Sequence, residues 1–205
     1  MLQRSPEWLQ ARVGKVTASR ISDVMAQVKT GEAIGHRNYR RQLALEQYYN
    51  TPQDSAYQSF AMMQGVAMEA EARSAYCFAT GLEVEEVGFV QHPTIALAGA
   101  SPDGFVGAVG LVEIKCPDPN AMYEALTKHP IDKKYRDQAH WQLACCPGRK
   151  WVDLTFYRSG CDIEIVRIER DDDYIRLLET AVVDFLAEVE ADRALLVRSR
   201  GGPPT

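Results

Sequence analysis

The chain has 205 residues, 46% of them hydrophobic and 25% charged, with a formal net charge of −5. That length suits one domain spanning 1–205, and the composition is ordinary for a soluble globular protein. Neither a bilayer-spanning apolar run nor a signal-peptide pattern is present, and five cysteines without a CxxC pair argue against a disulfide framework or structural zinc. A cytoplasmic, reducing setting is therefore expected. The acidic balance argues against a polyanionic partner only until it is mapped. Residues 1–50 hold eight Lys/Arg against four Asp/Glu, whereas 162–192 hold eleven acids against three bases. A local basic face is enough to bind a polyanion, and the acidic C-terminal part is expected to point away from it.

In chain order, Ser5-Pro6-Glu7 reads as a helix start: an N-cap, a proline in the first turn, then an acid at the positive end of the dipole. Gly14 closes that helix, and Thr17-Ala-Ser19 opens another through Ile21, Val24 and Met25. Arg12 and Ser19 are spaced to reach an anion at that second N-terminus, although spacing alone favours Thr17 as a simple cap and Arg12 as a solvated side chain. Residues 27–38 read as a loop carrying Lys29 and Arg37, with Arg40 and Arg41 on a following helix that runs to Asn50. Such a loop fits either phosphate-backbone contact or a plain surface connection. A long helix is expected from Tyr57 to Thr80, stopped by Gly81, with Phe60, Met63, Ala67, Ala70 and Cys77 as its buried stripe. Glu69 lies on an adjoining face, spaced to pair with Arg73.

Val84–Val90 and Ile95–Gly99 read as paired strands. Ser101-Pro-Asp-Gly104 is turn chemistry; Phe105-Val106 resumes extended structure, and Leu111–Lys115 forms the next strand after a Gly107–Gly110 turn. Residues two apart share a strand face, so Glu113 and Lys115 point one way while Val112 and Ile114 pack behind. The hairpin brings Asp103 beside Glu113. Two carboxylates and an ammonium then converge, which fits phosphodiester hydrolysis with a hard divalent cation. The same triplet also fits an ordinary Glu–Lys cross-pair beside a turn aspartate.

Pro117 and Pro119 break the chain before a helix over 121–128, ended by His129-Pro130. A second helix over 133–146 sets Tyr135, Gln138 and Gln142 along one face, with His140 elsewhere as a structural residue. Trp151–Tyr157 and Ile163–Ile168 alternate as strands, and Asp171–Asp173 caps a last helix with an Ile175, Leu178, Val182, Phe185, Val189 stripe. Residues 197–205 read as a frayed tail.

Ser101-Pro-Asp-Gly104 and Glu113-Ile-Lys-Cys-Pro117 together resemble the core of the PD-(D/E)xK nuclease superfamily, and more closely the phage lambda exonuclease and YqaJ-type viral recombinase family. Trp8 with Ala11–Gly14 and Val16–Ser19, Gly65–Arg73, Gln138–Gln142 and Ile168–Asp171 resemble further family segments, in the family's order. The resemblance implies a single α/β domain, a mixed central β-sheet flanked by helices with a restriction-endonuclease-like core. It implies that Asp103, Glu113 and the Ile114 carbonyl bind metal, that Lys115 positions water, and that Glu69 and Gln138 complete the site. Two Mg²⁺ ions are implied, with Mn²⁺ as a substitute. Arg12, Ser19 and Ser101 would hold the terminal 5′-phosphate. The activity implied is 5′-to-3′ degradation of one strand of linear duplex DNA, leaving 3′ overhangs for recombination. A homotrimer and a single-strand annealing protein are the implied partners, in the cytoplasm of a bacterial host and encoded by phage or prophage. The same core also serves endonucleases and junction resolvases, and a degenerate copy would merely bind DNA.

Overall fold

The computed structural model describes residues 3–53, 60–128 and 132–202, and for 60–67 the backbone alone. Ser5 caps Pro6–Arg12 (α1) by accepting the Trp8 N–H at 3.2 Å. Gly14 then turns the chain at φ +67°, where a Cβ would lie 2.5 Å from Gln47 Cγ; only glycine fits both demands. Val16–Thr17 (β1) leads through a 3₁₀ turn, Ala18–Arg20, into the short helix Ile21–Val24 (α2). Thr17 makes no side-chain cap, and its hydroxyl faces Ser19 Oγ at 3.5 Å instead. The expected helix is thus two fragments of three and four residues, too short to sum a useful dipole.

Ile34–Tyr49 (α3) begins inside the segment read as loop. Gly35 hid that start, since glycine disfavours helices, yet here it lets the first turn approach Asp23, whose Oδ1 would lie 2.5 Å from a Cβ. Asn50, at φ +51°, ends the helix where expected. Phe60–Thr80 (α4) follows. Its fully buried side chains among those described are Ala72 and Tyr76; Ala70 is exposed and Cys77 half-buried, so the expected stripe is corrected by a rotation of the helix. Residues 57–59 and the side chains of Phe60, Met63 and Ala67 lie outside the described residues.

The anticipated single strand over 84–90 is two. Val84–Glu85 (β2) and Val90–Gln91 (β3) join different sheets, and Ala98–Ala100 (β4), Gly104–Val106 (β5) and Gly110–Lys115 (β6) follow. Pro119–Lys128 (α5) starts on a proline read as a breaker: Asp118 Oδ1 accepts the Ala121 N–H at 2.9 Å, and Pro119 occupies a first-turn place that needs no donor. The His129-Pro130 stop lies outside the described residues. Lys133–Cys145 (α6), Trp151–Phe156 (β7), Glu164–Glu169 (β8) and Asp172–Arg200 (α7) complete the chain. The last helix continues four residues into the expected tail, and the Tyr48 hydroxyl donates to the Gly201 and Gly202 carbonyls.

Five strands form a mixed sheet in the order β2-β5-β6-β7-β8, parallel only between β6 and β7; β1-β4-β3 form a smaller mixed sheet. The mixed sheet flanked by helices is as expected. Every residue of α6 from Asp137 to Cys145 is buried, because the helix is wedged among α2, α7, β4 and β7. The α7 stripe packs into the same core as read from the sequence. One expectation fails: the acidic C-terminal part does not turn away from the basic part. Arg40 pairs with Glu188 at 3.0 Å and Asp192 at 2.9 Å, both on α7, and with Glu32 at 3.1 Å. No helix is long and apolar enough to cross a membrane among the described residues.

Candidate active site

Turn chemistry and strand alternation build this site. The β5–β6 register pairs Gly104 with Val112, so the residue before, Asp103, comes level with Glu113. Asp103 Oδ2 accepts the Ile114 N–H at 2.7 Å, extending the ladder one step beyond β5. Val112 and Ile114 pack behind with Ala72, Tyr76, Val106 and Tyr157. Glu113 and Lys115 face α6. There Lys115 Nζ donates to Glu113 Oε1 at 2.7 Å and to Gln138 Oε1 at 3.0 Å, while Gln138 Nε2 donates to Glu113 Oε1 at 2.7 Å. Gln142, one helical turn on, donates its Nε2 to Glu113 Oε2 at 2.5 Å. Tyr135 completes that face, its ring centroid 5.4 Å from Lys115 Nζ.

The electrostatics follow from crowding. Burial, then the Glu113 charge, hold the Asp103 carboxyl well above the usual carboxylate range; the Ile114 N–H and Lys115 oppose this, and Glu69 adds to it. Burial pulls the Lys115 ammonium down, but the Glu113 and Asp103 carboxylates outweigh it and raise its pKa. Lys115 is therefore a charged donor here. A hard divalent cation fits this set: two carboxylates supply oxygen ligands, and the cation would relieve the penalty on ionised Asp103. Glu113 Oε1 already receives two donors and Oε2 one, so an open lone pair remains on Oε2.

Glu69, on α4, pairs through Oε1 with Arg73 at 3.2 Å and through Oε2 with Arg4. It touches neither Asp103 nor Glu113 by hydrogen bond, yet its charge is felt at Asp103. The neighbouring Glu71 instead accepts from the Tyr157 hydroxyl. Of the two, Glu69 is the one whose charge adds to the upward push on Asp103, as the last of several causes.

The three residues expected around a terminal phosphate come from neighbouring element ends. Trp8 joins two of them: the Arg12 guanidinium stacks 3.9 Å from its ring centroid, and its Nε1 donates to Ser101 Oγ at 2.9 Å. Ser19 lies in the middle of the 3₁₀ turn after β1, whose parallel partner β4 runs on to Ser101. Arg12 also lines a small cavity of about 40 Å³ with Lys15, Arg20, Thr17 and the buried Glu46. Burial lowers the Lys15 pKa. Trp8 was legible only as part of a motif, not as the bridge, and Gln142 only as a residue on the right face.

Glu32, His36 and Glu188 also bring ligand atoms within 4.8 Å of one another. Arg40 lies within 3.1 Å of both carboxylates there, so a guanidinium already stands in the cation's place. His140 Nδ1 bonds the Arg136 carbonyl at 2.8 Å, in keeping with a structural role.

A family model described as the YqaJ-like viral recombinase domain matches residues 7–155. The crystal structure of LHK-Exo in complex with dAMP superposes with a TM-score of 0.87 at 41% identity, over 95% of this chain and 97% of that one. A second crystal structure, of the alkaline exonuclease LHK-Exo from Laribacter hongkongensis, gives 0.85 at 40% identity over the same shares. A phage-related exonuclease from Haemophilus somnus 129PT, 13% identical over 90% of this chain and 96% of that one, has a TM-score of 0.63 and shares the fold. Among curated proteins no match is found.

Proposed function

The chain belongs to the YqaJ-like viral recombinase family, and from that premise we propose that its DNA exonuclease activity is Mg²⁺-dependent and runs 5′ to 3′ on linear duplex. The observation that supports this best is the convergence of Asp103, Glu113, Lys115 and Gln138 on one sheet edge against one buried helix. Asp103, Glu113 and the Ile114 carbonyl would hold one cation, and Glu69 with Gln138 would support a second; Mn²⁺ should substitute. When bound, such an ion polarises the scissile phosphate and makes hydroxide available near neutral pH. Lys115, kept protonated by its carboxylate neighbours, orients the attacking water and offsets charge building on the phosphate. Gln138 accepts from Lys115 and donates to Glu113, and so would hold the two side chains in a fixed relation.

The polarity rests on Ser101, two residues before Asp103 and tied through Trp8 to Arg12. A terminal phosphate held there sits beside the cluster, in register for the first bond. A relative crystallised with dAMP, a deoxynucleoside monophosphate of the kind that stepwise end digestion releases. The product would be a 3′ overhang for a single-strand annealing protein. We further propose a homotrimer around the DNA, acting in the cytoplasm of a bacterial host.

The test is digestion of 5′-labelled linear duplex beside covalently closed circles in Mg²⁺, with 5′-phosphate and 5′-hydroxyl ends. Mononucleotides from phosphorylated 5′ ends and an intact circle are expected. Circles cut as fast as linear DNA would identify an endonuclease instead.

A further inference from the structure

Residues ahead of α1 are bonded to both sides of the site. Gln3 Nε2 donates to the carbonyls of Val87 at 2.9 Å and of Pro102, next to Asp103, at 2.8 Å. Arg4 follows at φ +68°, a left-handed backbone that an arginine rarely adopts, held between Gln3's bonds and its own ion pair with Glu69 Oε2. Arg73 takes the other oxygen of Glu69. Both oxygens of a carboxylate whose charge reaches Asp103 are therefore covered by guanidinium groups.

The two arginines differ. Arg73 sits one turn along the same helix and is fixed again by Glu86 at 2.8 Å, whereas Arg4 is 47% exposed and approaches from a separate segment. A divalent cation and the Arg4 guanidinium want the same oxygen. We infer that Arg4 is a displaceable counter-ion: it neutralises Glu69 until a second divalent cation takes Oε2, and is then released to face the substrate's phosphates. This rests on the reading of Glu69 as a ligand of that second ion. Arg4 is thereby a positioning residue, acting through Glu69 and setting how readily the site fills.

Calorimetric titration of DNA-free protein with Mn²⁺ tests the inference, using wild type, Arg4→Gln, Glu69→Gln and the double variant. Removing one positive charge at Glu69 should tighten the second equivalent roughly three- to tenfold, and both proteins lacking Glu69 should lose that equivalent alike. If Glu69→Gln binds as wild type does, Glu69 is no ligand and the underlying reading fails. If Glu69→Gln loses the equivalent but Arg4→Gln binds no tighter than wild type, the counter-ion role alone is overturned. Release also makes tryptic cleavage after Arg4 faster in Mg²⁺ than in EDTA; equal rates would contradict displacement.

Discussion

Replacing Gln142 with methionine sets two opposing effects against each other in one buried side chain. Its Nε2 donates to the Glu113 carboxylate, a bond to a charged group worth about 1.5–3 kcal/mol. Among the described residues its Oε1 is buried without a hydrogen-bond partner, a desolvation cost of about 1–3 kcal/mol. Methionine matches the length and removes both groups, so loss and relief should offset to within about 1 kcal/mol, or about 2–4 °C in Tm for a chain of this size. Activity has no such compensation. Glu113 keeps Lys115 and Gln138 on Oε1 but loses its donor on Oε2, and with it the orientation of the open lone pair. Losing an outer partner of a metal ligand typically costs about 10–100-fold in affinity or rate. Thermal melts in EDTA and initial rates on linear duplex across a Mg²⁺ series measure the two separately. Gln138→Met is the internal comparison: both of its amide groups are engaged, so stability should fall without relief. A Gln142→Met protein destabilised by more than about 3 kcal/mol, or one cleaving at wild-type rate, would refute this reasoning.

Asp103→Asn should stabilise the metal-free protein while abolishing cleavage. Folding raises the Asp103 pKa above its ordinary 3.8, so its contribution is fully present below that value and is lost as pH rises through the folded one. The variant should therefore melt above wild type at pH 8 in EDTA, with the gap closing on acidification; a lower Tm at pH 8 would count against it. Lys115→Ala should cut hydrolysis at least a hundredfold with DNA affinity in Ca²⁺ nearly unchanged, by filter binding and product gels; cleavage within tenfold of wild type would remove its role. Arg12→Ala should slow degradation of 5′-phosphorylated ends by about one to two orders of magnitude, the worth of roughly 1.5–3 kcal/mol of charge-assisted bonding, and leave 5′-hydroxyl ends nearly unaffected. Equal slowing of both ends would make it a general DNA contact.

The hairpin that aligns Asp103 with Glu113 was legible because turn chemistry and two-residue alternation are local rules. The α7 stripe was legible for the same reason, being long and regular. What escaped depended on partners distant in sequence. Nothing near Arg40 announces Glu188 and Asp192, so the basic and acidic parts looked separable. Gly35 argues locally against a helix, and only Asp23's approach explains it. Val84–Glu85 and Val90–Gln91 are two residues each, too short for periodicity to divide them between sheets. On α6 the i, i+3, i+7 spacing placed three side chains on the right face, but which of them bonds Glu113 is decided by reach from the helix to the sheet.

Among the described residues, strand β6 belongs to two hydrophobic bodies of unequal size. Leu111 enters the large one with α6 and α7, while Val112 and Ile114 enter a small one with Ala72 and Tyr76 of α4. That small body is fastened by a polar bolt: the Tyr76 hydroxyl donates to buried Asp153 at 2.7 Å, and Arg167 grips the same carboxylate through Nε and Nη2. Local opening is cheapest where buried apolar contacts are fewest. Among the described residues α4 meets β6 through the smaller body alone, so a shift of α4 would carry Glu69, nearly two turns from Tyr76, without unseating β6 from α6.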